Sequence, residues 1–217
     1  MLKQKYVSAG TAVATFDYQD IASGTGYVLF YGGTLADGTA SGSYVLSDNA
    51  FYADKVVTRT VANPSSWTKL IEEDFDVTFN LPRIIKGNAL LTIPIGIKHA
   101  ADGEEYMKYY GHVYKVSGGA EEFLVSGSST IEVFTGVGAA AIARTNSTLL
   151  TLPITNFKKD DILRLTVQLV AKGGSTTYGF AHDPKNRNDD AAGAEIVIIP
   201  DGIDTIMEFH VPFRIDI

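Results

Sequence analysis

The sequence predicts an all-β protein. The expected form is an antiparallel β-sandwich of jelly-roll type over residues 71–217, with residues 1–70 as an extended N-terminal arm or hairpin layer. Three observations predict it. First, apolar residues recur with period two in Phe75/Val77/Phe79/Leu81, in Leu163/Leu165/Val167/Leu169 and in Met207/Phe209/Val211/Phe213/Ile215. That spacing puts alternate side chains on opposite faces of a sheet, one buried and one wetter. Second, helix signals are few and nothing alternates strand with helix as a parallel sheet requires. Third, Pro94, Pro153 and Pro212 interrupt strand-like runs. A proline cannot donate to a ladder, so each must lie at an edge, at a bulge or where pairing changes. A two-sheet sandwich supplies such places and a closed barrel does not.

Residues 1–70 are rich in Gly, Ala, Ser and Thr, with aromatic islands at Tyr27–Tyr31 and at Phe51-Tyr52. Their apolar content is too small for a core of their own. They read as an arm or hairpin layer leaning on the main domain or on a neighbouring subunit. The other reading makes them ordinary extra strands of the same sandwich. Strands are expected at 26–31, 43–46 and 51–60. Asn63-Pro64-Ser65-Ser66 precedes Trp67, Leu70 and Ile71 at i, i+3, i+4, which predicts a short helical connector with a serine cap. Beyond it, strands are expected at 75–81, 89–97, 106–117, 130–135, 148–154, 163–169, 194–199 and 207–215. The alanine-rich stretch 137–144 predicts another turn or two of helix. Turns are marked by Asp37-Gly38, Gly87-Asn88, Asp102-Gly103, Gly118-Gly119, Gly173-Gly174 and Asp201-Gly202, pairs that reach positive φ at low cost.

The composition bounds the chemistry. The chain has 217 residues, 18 Lys+Arg against 25 Asp+Glu, a net charge of -7 and no cysteine. Disulfide scaffolds, thiolate metal sites, iron–sulfur clusters and cysteine catalysis are excluded. The acidic balance argues against nucleic acid or an anionic membrane as partner. No run of about 18 apolar residues predicts a membrane span, and Met1-Leu2-Lys3-Gln4-Lys5-Tyr6 does not open a signal peptide.

Catalytic constellations are weighed and not expected. Gly136-Val137-Gly138-Ala139-Ala140-Ala141 matches a dinucleotide-binding pattern, but too few residues separate it from Thr145-Asn146-Ser147 for a crossover helix. There is no nucleophile elbow, and His99, His112, His182 and His210 are scattered. The pairs Glu72-Glu73, Glu104-Glu105 and Glu121-Glu122 point to opposite faces of a strand, unlike a glycosidase pair. No cofactor is expected. Two candidate binding sets remain. Asp183, Asn186, Asn188 and Asp190 are hard oxygen donors that Ca²⁺ would accept, or else they hold a turn by side-chain hydrogen bonds. Trp67, Tyr106, Tyr110 and Tyr114 are rings able to stack on sugars. On a strand Tyr106, Tyr110 and Tyr114 share a face with His112, while Tyr109 faces the other way.

Several segments carry a family resemblance. Phe157-Lys158-Lys159-Asp160-Asp161-Ile162-Leu163-Arg164-Leu165-Thr166-Val167, His182-Asp183-Pro184 and the closing Val211-Pro212-Phe213-Arg214-Ile215-Asp216-Ile217 are three of them. Asp20–Gly26 and Phe30-Tyr31-Gly32-Gly33 are two more. Together they resemble jelly-roll structural proteins of tailed bacteriophages. The resemblance implies a virion protein, assembled in the host cytoplasm, acting as a capsid auxiliary, decoration or tail-associated subunit. Its partners would be other copies of itself, in a trimer as suits a sandwich packed around one face, and other virion proteins. A carbohydrate- or receptor-binding module of a phage tail is the alternative. No catalytic residue is carried over.

Overall fold

The computed structural model describes residues 25–36, 42–99, 103–135, 140–189 and 197–214. Among these residues there is no α-helix. There are twelve strands: β1 Thr25–Leu35, β2 Ser43–Ser47, β3 Val57–Ala62, β4 Thr68–Thr78, β5 Arg83–His99, β6 Glu104–Ser117, β7 Ala120–Ser128, β8 Glu132–Thr135, β9 Ala141–Phe157, β10 Ile162–Lys172, β11 Thr176–Ala181 and β12 Glu208–Arg214. The protein is all-β, as the alternation requires.

The ladders form one path, β3-β11-β5-β12-β1-β2-β4-β10-β6-β7, with β9 on the second edge of β5 and β8 on β6. Every pairing is antiparallel except a single parallel bridge between β2 and β4 at Val45↔Asp76. The path folds over on itself into a sandwich. One layer centres on β9, β5, β12 and β1, the other on β4, β10, β6 and β7. Their inner faces meet where the Tyr109 hydroxyl of β6 is shared between the carbonyls of Leu91 on β5, at 3.0 Å, and Asn146 on β9, at 2.9 Å. Close by, Gly111 of β6 lets the layers approach. A Cβ there would lie 2.6 Å from Leu91 Cδ2.

The core follows the period-two runs in large part: Phe75 and Phe79 are buried and Val77 half-buried, but β4 ends at Thr78 and Leu81 beyond it is exposed, and Ile215 lies outside the described residues. Leu163, Leu165, Val167 and Leu169 are fully buried on β10, as are Met207, Phe209 and Val211 at and along β12. Phe75 of β4 joins them, with Ile85, Leu91, Ile93, Ile95 and Ile97 of β5. The described part of the region read as an arm runs into this sheet. β1 lies between β12 and β2, and its Val28 and Phe30 belong to the same core. Residues 1–24 lie outside the described residues.

The prolines sit where their chemistry puts them. Pro94 falls where the partner of β5 changes, after the β12 ladder ends at Thr92 and before the β11 ladder begins at Ile95. Pro212 falls in the register break of β12 between His210 and Phe213. Pro153 lies on β9 beside the break at Ile85/Gly87 of β5. Gly118 and Gly119, both at positive φ, make the tight β6–β7 turn.

Some expectations are corrected. Residues 63–71 form no helix. β4 starts at Thr68 and pairs with β10, while the Pro64 carbonyl accepts from Gly173 N at 2.7 Å. Sheet pairing outweighs the local i, i+3, i+4 spacing. From Ala141 the alanine-rich stretch is strand β9; residues 136–139 lie outside the described residues. Gly87-Asn88 is not a turn, because β5 runs through it with a bulge. The strand placed at 51–60 begins only at Val57, and residues 197–199 are not strand.

Candidate functional site

Strand alternation divides β6 into two faces. Glu105, Met107, Tyr109, Gly111 and Val113 point inward and are buried, whereas Tyr106, Lys108, Tyr110, His112 and Tyr114 point outward and are half-exposed. The outer face therefore carries a ladder of rings that the core does not use. Trp67, just before β4, completes it from another part of the chain. Its ring meets Tyr106 edge-on at 6.5 Å between centroids. Lys108 Nζ lies 5.3 Å from the Trp67 ring centre and 4.7 Å from that of Tyr110, so the ammonium sits between two π-faces. Tyr110 stacks on His112 at 6.0 Å with planes 13° apart. Tyr114 meets the exposed Phe123 of β7 at 5.6 Å. The structure thus brings Trp67, Tyr106, Tyr110 and Tyr114 onto one surface. Period two makes the β6 part of this legible from sequence. Trp67 and Phe123 join through pairings that no local signal reveals.

A row of carboxylates runs beside the rings. Arg164 of β10 binds Asp76 of β4 through Nε at 2.8 Å and Nη2 at 2.7 Å. It also reaches Asp74 at 3.3 Å and Glu121 at 2.5 Å. The hydrogen bond to Asp76, then the nearby charges, hold the guanidinium pKa above its usual range. Thr166 donates to Asp74, and Gln168 to Glu72. Glu72 also accepts from Lys69 at 2.6 Å, which is the main cause holding its pKa below normal. Glu104 accepts from the Tyr106 hydroxyl at 2.5 Å, and this bond pushes the phenol pKa up. His112 Nε2 is buried and has no hydrogen-bond partner.

The oxygen-rich loop after β11 is arranged differently. Asp183 is fully buried, and both its carboxylate oxygens accept from Arg187, through Nε at 3.1 Å, Nη2 at 3.0 Å and the backbone N at 2.6 Å. Asn186 sits at positive φ and accepts from Thr205 N at 2.7 Å. Asn188 Nδ2 points to Asp201 at 3.4 Å. Asp190 lies outside the described residues. These side chains tie the loop to the segment before β12. Among the described residues no group of three or more His, Asp or Glu is placed to hold a metal ion.

Two buried polar groups escape sequence reasoning. His182 is fully buried among the rings of Tyr44, Phe75 and Phe180. Its Nε2 lies 2.8 Å from Thr58 Oγ1, which in turn meets the Tyr44 hydroxyl at 2.8 Å. Burial lowers the imidazole pKa to about 4 and raises that of Tyr44 to about 12. Glu105 is the other. As alternation requires, it points away from exposed Glu104, and it accepts from Gly174 N at 2.9 Å and from the Tyr178 hydroxyl at 2.5 Å. The side chain of His99 and residues 136–139 lie outside the described residues.

No protein-family model matches the chain, and no curated protein matches it. Solved structures align with it at low identity. A CocE/NonD family hydrolase from Staphylococcus aureus aligns over 88% of this chain and 37% of its own, at 12% identity and TM-score 0.45. An aminopeptidase from the marine sediment archaeon Thaumarchaeota archaeon aligns over 88% and 37%, at 8% identity and TM-score 0.48. The Eiger TNF of S. frugiperda aligns over 88% and 95%, at 7% identity and TM-score 0.28. The chain spans little more than a third of the two microbial enzymes, and at this level of likeness none of the three carries an argument about its function.

Proposed function

We propose that this chain is a non-enzymatic virion structural protein, a capsid auxiliary or decoration subunit that acts through subunit–subunit contacts. The observation that carries the reading is the outer face of the β9–β5–β12–β1 layer. A cross-strand row runs Leu149–Leu90–His210–Leu29 over four strands, with Leu149 60% and Leu90 38% exposed. The flanking row Ser147–Thr92–Glu208–Tyr31 carries one carboxylate, Glu208, which lies 3.4 Å from His210, and the polar side chains of β5 and β9 are bonded to each other, Thr92 to Ser147 at 2.9 Å and Thr151 to Asn88 at 2.9 Å. β5 and β9 together contain no Asp or Glu. In a chain of net charge -7, this is a broad face poor in carboxylates, with Glu208 held beside His210, on which another acidic copy docks with little repulsion. The virion setting rests on the sequence resemblance. The non-enzymatic reading is supported by where the strongly displaced groups lie: His182, Tyr109 and Tyr178 are fully buried in the core, and Arg164 is engaged in ion pairs with Asp74, Asp76 and Glu121.

Light scattering coupled to size-exclusion chromatography tests it. The expected result is a trimer or other closed homo-oligomer at micromolar concentration, dissociated by Leu149→Lys with Leu90→Lys while the melting temperature of the subunit stays measurable. A monodisperse 23.4 kDa monomer would overturn the reading.

A further inference from the structure

We propose that the aromatic strip along the outer face of β6 is a carbohydrate-binding site for a linear, neutral oligosaccharide. It lies on the opposite layer from the assembly face, and stands on different residues. Tyr106, Tyr110 and Tyr114 recur every four residues on one strand face, about 13 Å apart at the rise of an extended strand. With Trp67 at one end and Phe123 at the other, the strip has the length of several sugar rings in line.

The polar groups select the ligand class. Glu104, Glu72, Asp74 and Asp76 border the rings and are balanced by Lys69, Arg164, Lys108 and Lys172, so the strip lacks the excess positive charge that a phosphate backbone requires. An apolar protein surface would strip water from these carboxylates and from Lys108 without replacing it. A sugar satisfies both components. Its C–H faces pack on rings, and its hydroxyls donate to carboxylates and accept from Lys108. Trp67 and Tyr110 hold Lys108 between them, so that donor is positioned before any ligand arrives.

Trp67 is the chain's single tryptophan, so emission excited selectively at tryptophan, apart from the tyrosines, reports this end of the strip. The test titrates the full chain with cellohexaose, maltohexaose and mannohexaose, with calorimetry as the second readout. The expected result is a saturable change in Trp67 emission with at least one of the three. Tyr110→Ala should weaken that binding by about tenfold, the worth of one aromatic contact, while leaving the oligomeric state unchanged. Tyr114→Ala serves as the second variant should the first melt early. No saturable signal with any of the three hexasaccharides at millimolar concentration overturns the proposal, and so does unchanged affinity in a folded Tyr110→Ala or Tyr114→Ala protein. Neither outcome bears on the assembly face, whose readout is mass.

Discussion

Arg164 on β10 grips Asp76 on β4 through two parallel hydrogen bonds, Nε to Oδ1 at 2.8 Å and Nη2 to Oδ2 at 2.7 Å. The same guanidinium lies against Asp74 and Glu121, so one cation ties three acidic residues on two strands, β4 and β7, that are not adjacent in the sheet. Removing it leaves those carboxylates facing each other. All are partly exposed, and solvent screens part of the loss. Arg164→Met is expected to destabilise the fold by about 1–2 kcal/mol in urea unfolding. Arg164→Lys restores the charge but not the two-pronged geometry, and should recover less than half of the loss. Full recovery by lysine would show that charge alone matters.

His182 makes stability fall with acid in a definite window. The folded imidazole pKa is pushed down to about 4 by burial, whereas the unfolded one sits near ~6.5. The folded state is therefore favoured fully above pH ~6.5, and the advantage is lost as pH falls toward 4. Below 4 both states are protonated and the term is flat. At about 1.4 kcal/mol per pH unit the loss is about 3 kcal/mol. Glu73, whose pKa desolvation raises, works the opposite way; on the imidazole itself the charge of Asp183 opposes the burial effect in part, while that of Lys55 adds to it. Comparing variants removes those shared terms. His182→Phe keeps a ring among Tyr44, Phe75 and Phe180 and cannot titrate. Its stability relative to the native chain should rise by about 3 kcal/mol between pH 7 and pH 4. Parallel curves for the two proteins would show that His182 is not the acid-sensitive group.

The loop after β11 should be indifferent to calcium. Asp183 spends both oxygens on Arg187, and Asn186 Oδ1 accepts from Thr205 N, so the donors that Ca²⁺ would need are occupied. EDTA or added CaCl₂ is expected to leave the melting temperature unchanged. Arg187→Leu should cost about 3 kcal/mol, since it strands a fully buried carboxylate. A rise in melting temperature with Ca²⁺ in the native chain would reverse this reading of Asp183.

What the sequence reveals depends on how local the cause is. Period two exposes β10 and β12 because burying alternate residues requires it. Pro94 and Pro212 mark changes of ladder because the missing N–H acts at one residue. Asn63–Ile71 misleads for the same reason in reverse. Its helical spacing is local, while the pairing of β4 with β10 that overrides it is not. The strip is half legible: Tyr106, Tyr110 and Tyr114 fall on one face by alternation, but Trp67 reaches them only through the fold. The grip of Arg164 on Asp76 spans 88 residues, and nothing near either residue announces it. His182 lies next to Asp183 in sequence, yet its rings and its hydroxyl partner come from β2, β3, β4 and β11.

A tight contact between the two layers sets the last prediction. Gly111 on β6 faces Leu91 on β5, and a Cβ at position 111 would come within 2.6 Å of Leu91 Cδ2. Leu150 and Leu165 Cδ1 both lie 3.6 Å away, so the methyl has no empty side to enter. Gly111 has an ordinary strand conformation, so the penalty is packing rather than backbone strain. Gly111→Ala is expected to destabilise by about 1–3 kcal/mol through overpacking. Leu91→Ala alone opens a cavity at a fully buried site and should cost about 2–5 kcal/mol. In the double variant the new methyl occupies part of that cavity. Its total cost should therefore be smaller than the sum of the singles by at least about 1 kcal/mol. Additive costs in urea unfolding would mean that the layers separate to accept the methyl, and that Leu91 does not set their spacing.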